Sequence, residues 1–175
     1  MNIYLIGYRC CGKTSVGKAL SKILGRPFLD TDAAVVEKAK MTISEMVDRY
    51  GWDAFRDFEK SVIDRSILLN RYVIATGGGV ILNPDNVRKM KKTGLVIWLK
   101  VSPETIRDRM AADPETSSIQ RPDLTVTGTM NEIEAVLLAR QPLYEKASHL
   151  VLDTDILGID AICRKIIENT QQGNA

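Results

Sequence analysis

Short apolar runs alternate along this chain with longer stretches in which apolar residues return every three or four positions. Residues 3–6 form an apolar run that stops at Gly7 and reads as a strand. From 13 to 24, Val16, Leu20, Ile23 and Leu24 recur at helical spacing, and Gly25 with Pro27 ends the helix. A brief strand at 28–29 leads into Asp30. Thr42-Ile43-Ser44-Glu45 is a capping box, in which hydroxyl and carboxylate satisfy each other's backbone amides. It starts a helix that Gly51 ends. Residues 52–70 predict a long helix with Phe55, Phe58, Val62, Ile63, Ile67 and Leu68 inward, and 72–75 a strand that runs into Gly77-Gly78-Gly79.

Asn83-Pro84 supplies an N-cap and a first helical position for a short helix to 92. Residues 95–99 are continuously apolar, as expected of a strand covered on both faces. Ser102-Pro103-Glu104 opens a helix to about 112. Residues 113–129 show no periodicity and many Pro, Ser, Thr and Gly residues; long loops of this kind tend to carry function. An amphipathic helix over 130–146, a strand over 150–152 and a closing helix over 159–169 follow, with 171–175 expected as a frayed tail. The alternation predicts an α/β fold with a parallel sheet wound on both sides, and 175 residues suit one domain, 1–175.

Composition narrows the partners. Apolar residues make up 45% and charged residues 26%, ordinary for a globular protein. A net charge of +2 gives no footprint for nucleic acid. The odd count of cysteines, Cys10, Cys11 and Cys163, forms no disulfide framework, and His149, the only histidine, has no metal-ligating partner at a suitable spacing. The first residues read as a strand and not as a leader, and no apolar run approaches the ~18 residues of a membrane span. The expectation is a cytoplasmic protein, monomeric, without nucleic-acid or membrane partners.

Gly7-Tyr8-Arg9-Cys10-Cys11-Gly12-Lys13-Thr14 matches the phosphate-binding loop G-x-x-x-x-G-K-S/T in full, between a predicted strand and a predicted helix. That context turns backbone amides and the positive end of a helix towards one point, which suits phosphate. Lys13 would reach the β and γ phosphates and the Thr14 hydroxyl would hold Mg²⁺, with Cys10, Cys11, Gly12 and Ser15 lining the nucleotide. No Asn is followed by Lys, so the guanine motif N-K-x-D is missing, as is the dinucleotide fingerprint; ATP is favoured.

Asp30-Thr31-Asp32 ends the second strand, at the carboxyl edge where open α/β sheets bind ligands. One carboxylate could serve the metal while the other orients and deprotonates a hydroxyl; the bland alternative is that Asp32 only caps the next helix. Arg56 and Glu59 share a helix face, a spacing more often surface decoration of little energetic weight. Three successive glycines after a strand cost conformational entropy and suggest a backbone that a ligand approaches closely, or else a tight turn.

The phosphate loop, Asp30-x-Asp32, Phe55-Arg56-x-x-Glu59, Gly77-Gly78-Gly79, Arg121-Pro122 and Arg140-x-Pro142-x-Tyr144 occur in the order and approximate spacing of the shikimate kinases, a resemblance that extends to about Asp153. It implies a P-loop NTPase with an adenylate-kinase-like core: five parallel strands flanked by helices, acceptor-binding helices at about 32–70 and a lid at about 113–129. It also implies transfer of the ATP γ-phosphoryl group to shikimate. Lys13, Asp32 and Arg121 would be catalytic, with Arg121 swinging from the lid onto the phosphates. Asp32, Arg56, Gly77, Gly78, Gly79 and Arg140 would bind the acceptor, the two arginines clamping its carboxylate and Glu59 orienting Arg56. Thr14 and Asp30 would serve Mg²⁺.

The chain departs from the family's pattern in three places. Cys10 stands where the loop usually has its second glycine, at a cost on the order of 1 kcal/mol if the position needs positive φ. The late arginine that packs on adenine is absent near Asp155-Ile156, which leaves Arg109 as the candidate for adenine stacking, and the lid is long. Two other readings are a kinase of gluconate or another small hydroxy acid, and a catalytically silent nucleotide-binding regulator. The arginine pair with the triple glycine favours shikimate, and the regulator would be expected to lack Lys13, Asp32 or Arg121, all of which are present.

Overall fold

The structure is a computed structural model that describes residues 1–112 and 130–172. Five parallel strands, β1 (Asn2–Ile6), β2 (Phe28–Asp30), β3 (Val73–Ala75), β4 (Gly94–Lys100) and β5 (Leu150–Asp153), form one sheet in the order β2-β3-β1-β4-β5. Helices α1 (Lys13–Leu24), α2 (Thr31–Ala39), α3 (Ile43–Ser66), α4 (Pro84–Thr93), α5 (Pro103–Ala112), α6 (Met130–Ala147) and α7 (Ile159–Gln172) connect and cover it. In β1, Ile3 and Leu5 face α1 and α7, while Tyr4 and Ile6 face the opposite core with Ile63, Met90 and Tyr144. Alternation between two apolar layers is why β1 and β4 read as unbroken apolar runs. A third cluster, Val35, Ile43, Met46, Phe55 and Val62, joins α2 to α3.

The local signals hold. Thr42 and Glu45 close the predicted box, Asn83 Oδ1 accepts from the Asp85 amide ahead of α4, and Gly51 (φ 80°) breaks α3. His149 is structural: its Nδ1 accepts from the Val96 amide.

Three expectations need correction. The helix predicted to 70 stops at Ser66, and Leu68 is 82% exposed rather than inward. The cause is tertiary: Asn2 Nδ2 donates to the Ser66 and Leu69 carbonyls (3.3 and 2.9 Å) while its Oδ1 accepts from the Tyr72 amide, so β1 captures the helix end. Helix α2, which periodicity did not single out within the acceptor-binding helices expected at about 32–70, is capped by Asp30 and not by Asp32. Gln171 and Gln172, expected in the tail, belong to α7.

Candidate active site

The phosphate loop, the Asp30–Asp32 junction and the Gly77–Gly79 turn leave the sheet at its carboxyl edge. β1 leads into the phosphate loop at the point where connections diverge, β3 on one side and β4 on the other, which is where open parallel sheets bind ligands. Gly12 (φ 93°) occupies the N-cap of α1 with no side chain capping it and no acidic residue in the first turn. The helix's positive end is therefore left for an anion. Lys13 is buried, its Nζ donating to the Gly7 and Tyr8 carbonyls at 2.8 and 2.6 Å. Cys10 sits at φ 59°, the positive φ anticipated for that position, and Cys11 is buried beneath the loop.

These residues line a cleft with about 1760 Å³ of empty space, together with Ser15, Asp30, Asp32 and Arg109. Arg109 Nη1 donates to the Cys10 carbonyl (2.9 Å) and Nη2 to that of Thr154 (3.1 Å), so the guanidinium ties α5 to the loop and to the end of β5. Ile156, Leu157, Ile159 and Ile162 complete an apolar wall. Sequence reasoning missed that wall, since no spacing distinguishes it from core. Asp30 is divided between two tasks: Oδ1 accepts from the Asp32 and Ala33 amides, and Oδ2 from the Thr14 hydroxyl at 2.9 Å. The paired assignment of Thr14 and Asp30 thus meets in space.

A second cleft, with about 440 Å³ of empty space, adjoins the first, and Arg9 and Asp32 line both. Arg9 was not singled out from the sequence, where it occupies a variable position of the loop. Arg56, from α3, donates to Glu59 Oε2 at 2.8 Å and lies over the rings of Phe55 and Trp52, 5.0 and 5.6 Å from their centroids. The surface reading of this pair fails: Glu59 is 1% exposed, and burial pushes its carboxyl pKa up against the opposing pull of Arg56 and Arg140.

At Gly77 and Gly79, side chains fill the space a Cβ would need. At Gly77 a Cβ would lie 2.6 Å from Glu59 Oε1 and 2.7 Å from Asp32 Oδ1; at Gly79 it would collide with the Arg56 guanidinium. Arg140, from α6, donates to the Gly78 carbonyl at 3.4 Å, as does the Tyr144 hydroxyl at 2.6 Å. Three arginines and two carboxylates line this cleft, a balance suited to a monoanion. Arg121 and the lid lie outside the described residues.

The family model for shikimate kinase matches residues 9–171. The chain is 40% identical over 151 residues to shikimate kinase 2 of Yersinia enterocolitica, covering 86% of this chain and 85% of that one. It is 37% identical over 172 residues to the shikimate kinase of Symbiobacterium thermophilum, covering 98% and 97%. The solved shikimate kinase from Acinetobacter baumannii, in complex with shikimate, superposes with a TM-score of 0.89 at 31% identity, covering 98% of this chain and 93% of that one.

Proposed function

The chain belongs to the shikimate kinase family and phosphorylates shikimate to 3-phosphoshikimate with ATP as donor; from that premise we propose how its two clefts divide the reaction. ATP takes the larger cleft, its phosphates on the amides of the loop and on Lys13, its base beside Arg109. Shikimate takes the smaller one, its carboxylate between Arg56 and Arg140, its ring against Gly77, Gly78 and Gly79, its reacting hydroxyl at Asp32. A planar guanidinium suits bidentate carboxylate binding, and the aromatic faces of Phe55 and Trp52 hold Arg56 in that plane.

The observation that carries this reading is the place of Asp32, a buried carboxylate where the two clefts meet. As the acceptor oxygen attacks the γ phosphorus, Asp32 takes the hydroxyl proton and the bond from that phosphorus to the β–γ bridging oxygen breaks, releasing ADP. Lys13 and, from the lid, Arg121 neutralise charge on the transferring group. Mg²⁺ fits Thr14 and Asp30, whose hydroxyl and carboxylate oxygens are 2.9 Å apart. Such a sparse set of hard oxygen donors suits an ion whose shell phosphates and waters complete. When bound, the ion would neutralise phosphate charge.

The protein acts, in the same proposal, as a cytoplasmic monomer; three free thiols suit a reducing compartment. ADP release measured with shikimate, its methyl ester and a panel of small hydroxy acids tests the acceptor assignment. Shikimate should lead in kcat/KM, and the uncharged ester should lose on the order of 100-fold. An ester as good as the acid would overturn the arginine clamp.

A further inference from the structure

Two side chains of α6 converge on the Gly78 carbonyl. Tyr144 Oη donates to it at 2.6 Å and Arg140 Nη1 at 3.4 Å, one helical turn apart on the same face. Gly78 also packs on the phosphate loop: a Cβ there would lie 3.4 Å from the Gly7 carbonyl oxygen and 3.5 Å from the Arg9 nitrogen. The Tyr144 side chain is wholly buried and its ring stacks on Trp98, centroids 5.5 Å apart and planes 14° from parallel. Burial pushes its phenol pKa far up, so the hydroxyl keeps its proton and stays a donor.

We infer that Tyr144 is a positioning residue for the acceptor site: its hydroxyl holds the Gly78 carbonyl, so that Arg140 can turn from that carbonyl onto the acceptor carboxylate. The inference rests on the proposed role of Arg140 and adds a residue to it. Gly78 is only partly buried, yet a carbonyl packed into such a site still loses free energy when it is left without a donor. With Tyr144 in place, Arg140 leaves Gly78 without orphaning it. Without the phenol oxygen, Arg140 becomes the remaining donor to Gly78, and the acceptor must compete with a backbone carbonyl for the same guanidinium.

Tyr144→Phe keeps the ring and its stack, and Arg140 stays available to Gly78, so the fold should survive. Its KM for shikimate should rise roughly five- to tenfold, with KM for ATP and kcat within about twofold of the parent. In an Arg140→Ala background the same substitution should add less than about twofold, because the competition it creates is gone. Trp98→Phe, which disturbs the stack and spares the hydroxyl, should lower the melting temperature and leave KM for shikimate unchanged. If Arg140→Ala raises KM for shikimate but Tyr144→Phe does not, or if the two effects multiply in full, the positioning role is wrong and the clamp stands. If Arg140→Ala leaves KM for shikimate unchanged, both fall.

Discussion

The proposed nucleotide cleft takes one wall from an unbroken stretch, residues 9–16, where the expected phosphate-binding groups are chiefly backbone amides and one lysine. The proposed acceptor cleft draws on the phosphate loop, α2, α3, the glycine turn after β3, and α6, and its charged groups are all side chains. The first kind of site is built by local conformation and tolerates variation in side chains, as Cys10 at φ 59° illustrates. The second requires elements far apart in sequence to arrive together. A single misplaced group there, Glu59 for instance, leaves a buried charge uncompensated.

Five substitutions would break or sharpen this contrast. The largest effect is expected at the junction. Asp32→Asn should reduce kcat by roughly two to four orders of magnitude, as for a positioned acid–base group, and leave ATP binding within about twofold. Near-normal turnover in the purified variant would remove Asp32 from the chemistry. Next come Arg56→Lys and Arg140→Lys. Each should raise KM for shikimate at least roughly tenfold and KM for ATP hardly at all, because an ammonium cannot reproduce the bidentate fork. Steady-state kinetics with each substrate varied in turn separates the clefts; equal rises in both constants would mean that they are not independent.

Glu59→Gln should act on stability and binding in opposite directions. The folded-state pKa of Glu59 lies above the ordinary value of 4.5, so the folded chain holds this proton where the unfolded chain has lost it. Its contribution to stability is complete below about pH 4.5 and is lost as pH rises through the elevated value. Glutamine removes that loss. The variant should therefore melt higher than the parent at pH 8, with the gain vanishing near pH 4.5, while KM for shikimate rises a few-fold as Arg56 loses its anchor. A melting temperature lowered equally at both pH values would show that the Arg56 pair outweighs burial. The smallest effect belongs to the nucleotide side. Cys10→Gly should stabilise the fold by about 1 kcal/mol, since glycine adopts positive φ without strain, and should leave KM for shikimate unchanged. Denaturant unfolding measures the gain, and a destabilised glycine variant would mean that the thiol makes contacts worth more than the strain.

What the amino-acid sequence determined by itself is what rests on neighbours in the chain. The phosphate loop, the Thr42–Glu45 box, the Asn83-Pro84 start and the break at Gly51 are each written in a few consecutive residues, because backbone conformation and capping are short-range. The order of strands and helices was legible for the same reason. Tertiary structure alone decided which polar residues are buried. Arg56 and Glu59 at i, i+3 look the same on a surface as in a cleft, and desolvation, which separates the two cases, depends on α6 and the glycine turn closing over them. Asp30 rather than Asp32 became the cap because Thr14 and the amides of α2 both reach it. Leu68 stayed in solvent because Asn2, over sixty residues earlier, ended the helix first. Arg9 and Tyr144 stood inside quoted motifs without an assigned role, since their roles consist of distances to residues that only folding brings near.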